Sequence, residues 1–147
     1  MEKVERAVRY FEQGCNCAQA ILAAYGEQFG LERETSLKLA CGFGGGIQMG
    51  QTCGAVTGAF MVLGLKYGQT DAKDRRPKEK TYELISQFVE KFQSRNGSVV
   101  CKELLGCDIS TPEGMKTARA RNLFVSFCPK MVRDAAEILE QMLSESP

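Results

Sequence analysis

The sequence predicts an all-α protein, a single compact multi-helix bundle with a central glycine-rich loop. Apolar residues recur at spacings of three and four along most of the chain, which is the period of helices that bury one face. No segment shows the strict alternation that is typical of a half-buried strand. The 147 residues suit one domain, and no repeat or linker divides them. We therefore expect one helical domain over residues 1–147.

The first third of the chain predicts three helices followed by the glycine-rich loop. The apolar stripe of the first helix runs from Val4 to Phe11, and Gly14 ends it. Asn16 is a preferred N-cap residue for the second helix. A third, short helix ends at Gly42, a residue suited to the C′ position. The loop of residues 42–46 follows, and it has little side-chain bulk.

The middle of the chain predicts one buried helix and one long amphipathic helix. Thr52 is expected to cap a helix from Cys53 to about Lys66, which is apolar nearly all round and therefore buried. Residues 71–80 are mostly charged and contain a proline, so we expect a solvated connection there. The long helix that follows ends near Gly97.

Three further helix starts are expected towards the C-terminus. A short turn of helix covers Cys101 to Leu105 and is closed by Gly106. Pro112 after Thr111 suits the first position of a helix. The last helix opens at Cys128.

Two residue counts restrict the chemistry, because the chain has seven cysteines and no histidine. Without an imidazole the chain cannot form a Ser-His-Asp or Cys-His catalytic site, a mixed Cys/His zinc site or a His-ligated haem site. The net charge of +1 gives no overall attraction to nucleic acid or to anionic membranes. Thiol chemistry is the main class that remains.

The expected location is the cytoplasm. The N-terminal residues contain no signal segment, so we expect the mature chain to start at Met1. The longest nearly uncharged apolar stretch, residues 53–65, is too short to span a bilayer, and no membrane insertion is expected. Seven cysteines without a secretory signal suggest a reducing compartment.

Four of the seven cysteines lie at predicted helix starts, namely Cys17, Cys53, Cys101 and Cys128. The first turn of a helix presents free N–H groups and a partial positive charge, which stabilise a thiolate or an anionic cluster. The dipole contributes only ~0.3–1 kcal/mol, so a second stabilising group is needed. Nearby cations are the candidates: Lys102, Lys130 and Arg133.

The other three cysteines, Cys15, Cys41 and Cys107, fit better as small apolar residues. Cys15 and Cys107 are also close enough in sequence to Cys17 and Cys101 to serve as resolving partners. The chain contains no Cys-x-x-Cys pair, so the usual zinc-ribbon, thioredoxin-type and ferredoxin-type signatures are absent.

Four glycines are candidates for cofactor binding. Gly54 and Gly58 share one helix face, where small residues admit either another helix or a cofactor. Gly44 and Gly45 lie in the glycine-rich loop, which is either a backbone nest for an anion or a flexible connection. That loop has no Walker A pattern, so nucleotide binding is not expected.

Residues 53–58, Cys-Gly-Ala-Val-Thr-Gly, resemble the Cys-Gly-Ala-x-x-Gly motif of the C_GCAxxG_C_C family. These are small bacterial and archaeal proteins of about this length, to which redox activity through four shared cysteines is ascribed. The resemblance covers nearly the whole chain in order: residues 16–20, the loop 42–46, residues 50–55, residues 101–106 and Cys128. It implies the same four functional cysteines that the helix starts select.

Three hypotheses about function follow. In the first, Cys17 and Cys53 cycle between dithiol and disulfide with a redox partner that the sequence does not identify, and Cys101 and Cys128 form a second couple or resolve the first. In the second, the same four thiolates hold an iron–sulfur cluster or zinc. In the third, the protein is a non-enzymatic module that forms a homodimer through its glycine-lined helix.

Overall fold

The computed structural model describes residues 2–145 and confirms an all-α bundle. Its α-helices are α1 (Glu2–Glu12), α2 (Cys17–Gly26), α3 (Arg33–Ala40), α4 (Gly54–Tyr67), α5 (Arg75–Asn96), α6 (Cys101–Leu105), α7 (Pro112–Ala120), α8 (Leu123–Ser126) and α9 (Cys128–Glu145). Within residues 2–145 there is no β-strand, and the β-structure is an isolated antiparallel bridge between Thr52 and Val100.

Helix α2 lies at the centre of the bundle and packs against α1, α3, α4 and α9. Its residues 20–26 are all buried, because it is apolar on every side. The aromatic side chains of Tyr25, Phe88 and Phe92 fill the core between α2, α5 and α9. Helices α6, α7 and α8 are short; α6 and α8 border the cavity cysteines, and α7 packs against α8.

Two of the expected helix starts are wrong. Helix α4 begins at Gly54 with Cys53 as its N-cap, because Thr52 instead pairs with Val100 in the bridge. Helix α5 begins at Arg75, inside the stretch expected to be a connection, because the Asp74 side chain accepts a hydrogen bond from the Arg76 backbone N–H. Proline is tolerated in a first helical turn, so Pro77 does not prevent this.

The glycine-rich segment forms compact turns. Residues 41–43 make a 3₁₀ turn that continues from α3, so Gly42 does not take the expected C′ position. Residues Gly46–Gly50 form a wide π-type turn, in which Ile47 and Gln48 have left-handed backbone angles. The Gln48 side chain closes the turn by donating a hydrogen bond to the carbonyl of Gly44 at 2.6 Å. Helix α8 was not expected from the sequence.

Met1, Ser146 and Pro147 lie outside the described residues, so the single domain over residues 1–147 stays a prediction, as does a mature chain that starts at Met1. Across residues 2–145, no helix is both long enough and apolar enough to cross a membrane.

Candidate functional site

The four predicted cysteines, Cys17, Cys53, Cys101 and Cys128, line one cavity of about 640 Å³. Cys15 also lines it, whereas Cys41 lies elsewhere on the surface. The seven cysteines all fall within the described residues, and all are free thiols. The cavity lies where the ends of α1, α2, α4, α6, α8 and α9 converge.

Helix α2 presents Cys17 as its first residue, and its start is fixed by a capping box. The Asn16 side chain accepts a hydrogen bond from the Gln19 backbone N–H at 2.8 Å. The Gln19 side chain in turn accepts one from the Asn16 backbone N–H at 2.9 Å. Asn16 also donates to the Cys41 carbonyl at 3.0 Å, which ties this helix start to the glycine-rich segment.

Cys53 and Cys101 are held together through their backbones. The N–H of Cys53 donates to the carbonyl of Val99 at 2.7 Å, and the N–H of Cys101 donates to the carbonyl of Gln51. These bonds flank the antiparallel bridge between Thr52 and Val100. Cys53 directly follows Thr52 in the chain, and Cys101 directly follows Val100. Cys53 thereby becomes the N-cap of α4 and Cys101 the first residue of α6.

Cys53 and Cys17 differ in their thiol acidity. Hydrogen bonding with the Cys17 thiol lowers the pKa of Cys53, and the backbone N–H groups of Ala55 and Val56 lower it further against the effect of burial. The pKa of Cys17 is raised well above its usual value by hydrogen bonding with Cys128 and Cys53 and by burial. Cys53 is therefore the more acidic thiol of the pair.

The pKa values of Cys101 and Cys15 are raised, in the opposite direction to that of Cys53. Burial raises the pKa of Cys101 to about 12, and the neighbouring thiols of Cys53 and Cys128 add to the effect. Burial also raises the pKa of Cys15, against the opposing charge of Arg33. These two thiols are consequently protonated at neutral pH.

The cations expected to stabilise a thiolate act elsewhere. Lys130 donates to a carboxylate oxygen of Asp134 at 2.6 Å, and Arg133 pairs with Glu5. Lys102 is not among the groups that shift the pKa of Cys53 or Cys101. In place of these cations, the Cys17 thiol and the N–H groups at the start of α4 lower the pKa of Cys53.

The candidate cofactor-binding glycines fall into two groups. Gly54 and Gly45 line the cavity, whereas Gly44 and Gly58 do not. A Cβ atom at Gly44 would lie 2.7 Å from the Asn16 Cβ, and one at Gly58 would lie 3.0 Å from the Ala18 carbonyl oxygen. Gly58 therefore serves the packing of α4 on α2, and this small-residue face is already covered within the chain.

Several lining residues were not foreseen. Gly46 has a positive φ of 65°, and a Cβ atom there would lie 2.8 Å from the Cβ of Cys101. The apolar wall includes Phe11, Leu104, Ile109, Phe124 and Phe127. These side chains come from separate elements, so no local sequence pattern groups them. The proximity of Phe124 and Phe127 to Cys128 in the sequence was only a weak indication that they line the same cavity.

The arrangement brings two thiols of different acidity, Cys17 and Cys53, into contact. In residues 2–145, no group of three or more cysteine, aspartate or glutamate side chains is arranged to hold a metal ion. Two adjoining thiols can in general exchange with a disulfide or pass two electrons to another acceptor.

A family model described as "Putative redox-active protein (C_GCAxxG_C_C)" matches residues 15–142. The chain belongs to this family. Searches of curated proteins and of solved structures gave no match. The match to the C_GCAxxG_C_C model includes all five cavity cysteines together with the glycine-rich segment. The family description is of redox activity and gives no substrate or residue roles.

Proposed function

We propose that this protein is a dithiol redox protein in which Cys53 is the attacking thiolate and Cys17 is its partner. The observation that carries the proposal is the pairing of these two thiols at the starts of α2 and α4, with opposite pKa shifts. A thiolate is the reactive form, and a protonated neighbour can donate its proton to the group that is reduced. A reducing compartment such as the cytoplasm would regenerate the dithiol.

The reaction is a two-electron oxidation of the pair. With a disulfide R–S–S–R as acceptor, the Cys53 thiolate attacks one sulfur, the S–S bond of the acceptor breaks, and one RS⁻ leaves with the proton of Cys17. Cys17 then attacks the Sγ of Cys53 in the mixed disulfide. The Cys17–Cys53 bond forms, the second RS⁻ leaves, and a proton from water completes the second thiol.

We propose that Cys128 and Cys101 act after this step. Cys128 interacts with Cys17, so its thiol can exchange with a Cys17–Cys53 disulfide and pass the oxidation on. Cys101 is within electrostatic reach of both Cys53 and Cys128. We propose that Cys101 and Cys128 form the second couple.

Thiol counting by mass spectrometry tests the proposal. After full reduction, stoichiometric treatment with a mild disulfide oxidant should remove two hydrogen atoms per chain and join Cys17 to Cys53 in the peptide map. Cys17→Ser and Cys53→Ser should each abolish this product, whereas Cys41→Ser, at an exposed cysteine outside the cavity, should not. An unchanged thiol count in the oxidised wild-type protein would overturn the proposal.

A second candidate function is a four-thiolate cofactor site, favoured by the convergence of four cysteines on one cavity. Thiolates select iron–sulfur clusters, zinc or copper(I), and helix-start N–H groups would tune a cluster. The side chains would have to turn towards a common centre, because the described part of the chain holds no ready-made ligand group.

Metal analysis separates the two candidates. Anaerobic purification and reconstitution should give no stoichiometric iron or zinc if the dithiol function is correct. One cluster or ion per chain, lost in each of the four cysteine variants and kept in Cys41→Ser, would establish the second candidate instead.

A further inference from the structure

The proposed attacking thiol, Cys53, is too deeply buried for a protein substrate, whereas Cys15 and Cys17 are half-buried. Cys53, Cys101 and Cys128 are 6%, 7% and 7% exposed. A disulfide on another folded protein would have to reach the Cys53 sulfur in line, which this burial prevents. The substrate must therefore be small enough to enter the cavity.

The volume of the cavity, about 640 Å³, lies within the range of ~300–1,000 Å³ that is common for small-molecule sites. Its rim includes three exposed residues, Glu12, Gly14 and Val125, so the cavity opens to solvent between the end of α1 and α8. Val125 is 70% exposed although it is apolar. A compound of one or two rings can pass this rim and reach the thiols.

The lining of the cavity disfavours anionic substrates. In the part of the chain that the structure describes, no lysine or arginine lines it, and its one carboxylate belongs to Glu12 at the rim. Transferring an unpaired anion into an apolar site carries a large desolvation cost. Glutathione-like and phosphorylated compounds are disfavoured for this reason, and an uncharged molecule is favoured.

The wall also favours a flat molecule. Three phenylalanine side chains line the cavity, Phe11 from α1, Phe124 from α8 and Phe127 just before α9. Aromatic rings prefer offset-stacked or edge-to-face contact with other rings. The polar groups that remain inside are mainly thiols and backbone N–H groups.

We propose that the cavity binds a planar, uncharged two-electron acceptor of the quinone class and presents it to the Cys17–Cys53 pair. The inference rests on the proposed dithiol function for the electron transfer, and on the cavity alone for binding. In the reaction the Cys17–Cys53 bond forms and two electrons pass to the quinone. Its two carbonyl oxygens become hydroxyl groups, with one proton from Cys17 and one from water.

Binding is tested in a Cys17→Ser/Cys53→Ser double variant, which cannot form the disulfide. The probe is 2,3-dimethyl-1,4-naphthoquinone, whose substituted ring blocks addition of other thiols, and the comparison is its analogue with a sulfonate on the benzo ring. In equilibrium dialysis we expect the uncharged probe to bind at least about tenfold more tightly. Equal or tighter binding of the sulfonated analogue would overturn the proposal.

Two pairs of variants locate the probe. Phe124→Ala should weaken binding by about tenfold, whereas Phe29→Ala, at a half-buried phenylalanine outside the cavity, should not. Val125→Lys at the rim should strengthen binding of the sulfonated analogue several-fold relative to that of the uncharged probe. Its control is Leu39→Lys, at an apolar residue that is 55% exposed and should change neither. If neither Phe124→Ala nor Val125→Lys changes the affinity for the probes, they do not bind in this cavity.

The electron transfer has a separate readout. In the wild-type protein, the uncharged quinone should yield the hydroquinone, seen by its absorbance, together with the Cys17–Cys53 disulfide. If the double variant binds no quinone while a small disulfide still oxidises the wild-type protein, the quinone is rejected and the dithiol function is kept. Quinone binding without a Cys17–Cys53 disulfide in the wild-type protein would reject the electron transfer and leave a binding site. If a small disulfide also fails to form that bond, the dithiol function is rejected as well.

Discussion

Thr52 and Val100 pair as an isolated antiparallel bridge, and a cavity cysteine directly follows each of them. The backbone N–H groups of these cysteines, Cys53 and Cys101, are held by the carbonyls of Val99 and Gln51. The bridge therefore sets the spacing between the starts of α4 and α6, which are 47 residues apart in the chain. Two cysteines that are distant in sequence become neighbours without any disulfide.

Gly46 should be required for this arrangement. Its φ is +65°, and a Cβ atom would lie 2.8 Å from the Cβ of Cys101 and 2.7 Å from the Gln51 carbonyl oxygen. Gly46→Ala should lower the free energy of unfolding by about 1–2 kcal/mol for the left-handed backbone and by about 1–3 kcal/mol more for the overlap. Urea denaturation measures the change.

The matched control for Gly46 is Gly30, which has a φ of +87° and open space around a Cβ atom. Gly30→Ala should show the backbone cost alone. If the two variants lose the same stability, the contact between Gly46 and Cys101 does not shape the site.

Gly54 and Gly64 on α4 should respond to alanine with opposite signs. A Cβ atom at Gly54 would lie 2.9 Å from the Ala18 backbone nitrogen and 3.2 Å from the Cys17 Cβ, whereas Gly64 has nothing within 4 Å. Gly64→Ala should stabilise the protein by about 0.5–1 kcal/mol, because alanine is the better helix former. Gly54→Ala should destabilise it by about 1–3 kcal/mol. Thermal or urea unfolding that moves both variants in one direction would contradict this packing.

Much of the fold could be predicted because the starts and ends of helices are determined by a few adjacent residues. The capping side chain of Asn16, the Thr111–Pro112 start of α7 and the left-handed Gly97 after α5 are all readable from a few adjacent residues. The start of α4 could not be placed correctly, because the role of Thr52 depends on Val100, a partner distant in sequence. Helix α8 is only four residues long and gives no measurable period.

The four cysteines could be selected as a set, but their roles could not. Helix starts and the family motif both pointed to Cys17, Cys53, Cys101 and Cys128. Which thiol is the more acidic depends on the contact between Cys17 and Cys53 and on burial, neither of which spacing reveals. The cavity wall is equally non-local, because its phenylalanines come from opposite ends of the chain.

Tyr25 should make the fold sensitive to alkali. Its fully buried hydroxyl donates to the Ala136 carbonyl at 3.2 Å and lies 3.3 Å from a Glu140 carboxylate oxygen. Burial, followed by the Glu140 charge, raises the pKa of this phenol. The stability that the protonated phenol contributes is complete below the unfolded-state value of about 10, and it is lost as the pH rises above that value.

Tyr25→Phe isolates this contribution. At neutral pH the variant should lose about 0.5–1.5 kcal/mol with the hydrogen bond. Above pH 10 its stability should fall less steeply than that of the wild-type protein, by up to about 1.4 kcal/mol per pH unit. Tyr82→Phe, at a side chain that is 58% exposed, should keep the wild-type slope in urea titrations across this range. Parallel slopes for the wild-type protein and Tyr25→Phe would contradict the assignment.

Cys53 should be the cavity thiol that alkylates at the lowest pH. Its thiolate is stabilised first by hydrogen bonding with Cys17 and then by the N–H groups of Ala55 and Val56. Iodoacetamide labelling followed by peptide mapping should therefore give a midpoint for Cys53 below that of an ordinary thiol. Cys17→Ala removes the donor and should move this midpoint upwards, whereas Cys17→Ser keeps an O–H donor and should move it less.

The control for this titration is Cys41→Ala, which changes an exposed cysteine outside the cavity and should leave the Cys53 midpoint in place. The sign of the shift in Cys17→Ala is decisive. If the neighbouring thiol stabilises the thiolate by hydrogen bonding, its removal makes Cys53 less acidic. If Cys17 only buried Cys53, its removal would admit water and make Cys53 more acidic. A lower midpoint would therefore mean that burial by Cys17, rather than proton donation, governs the pair.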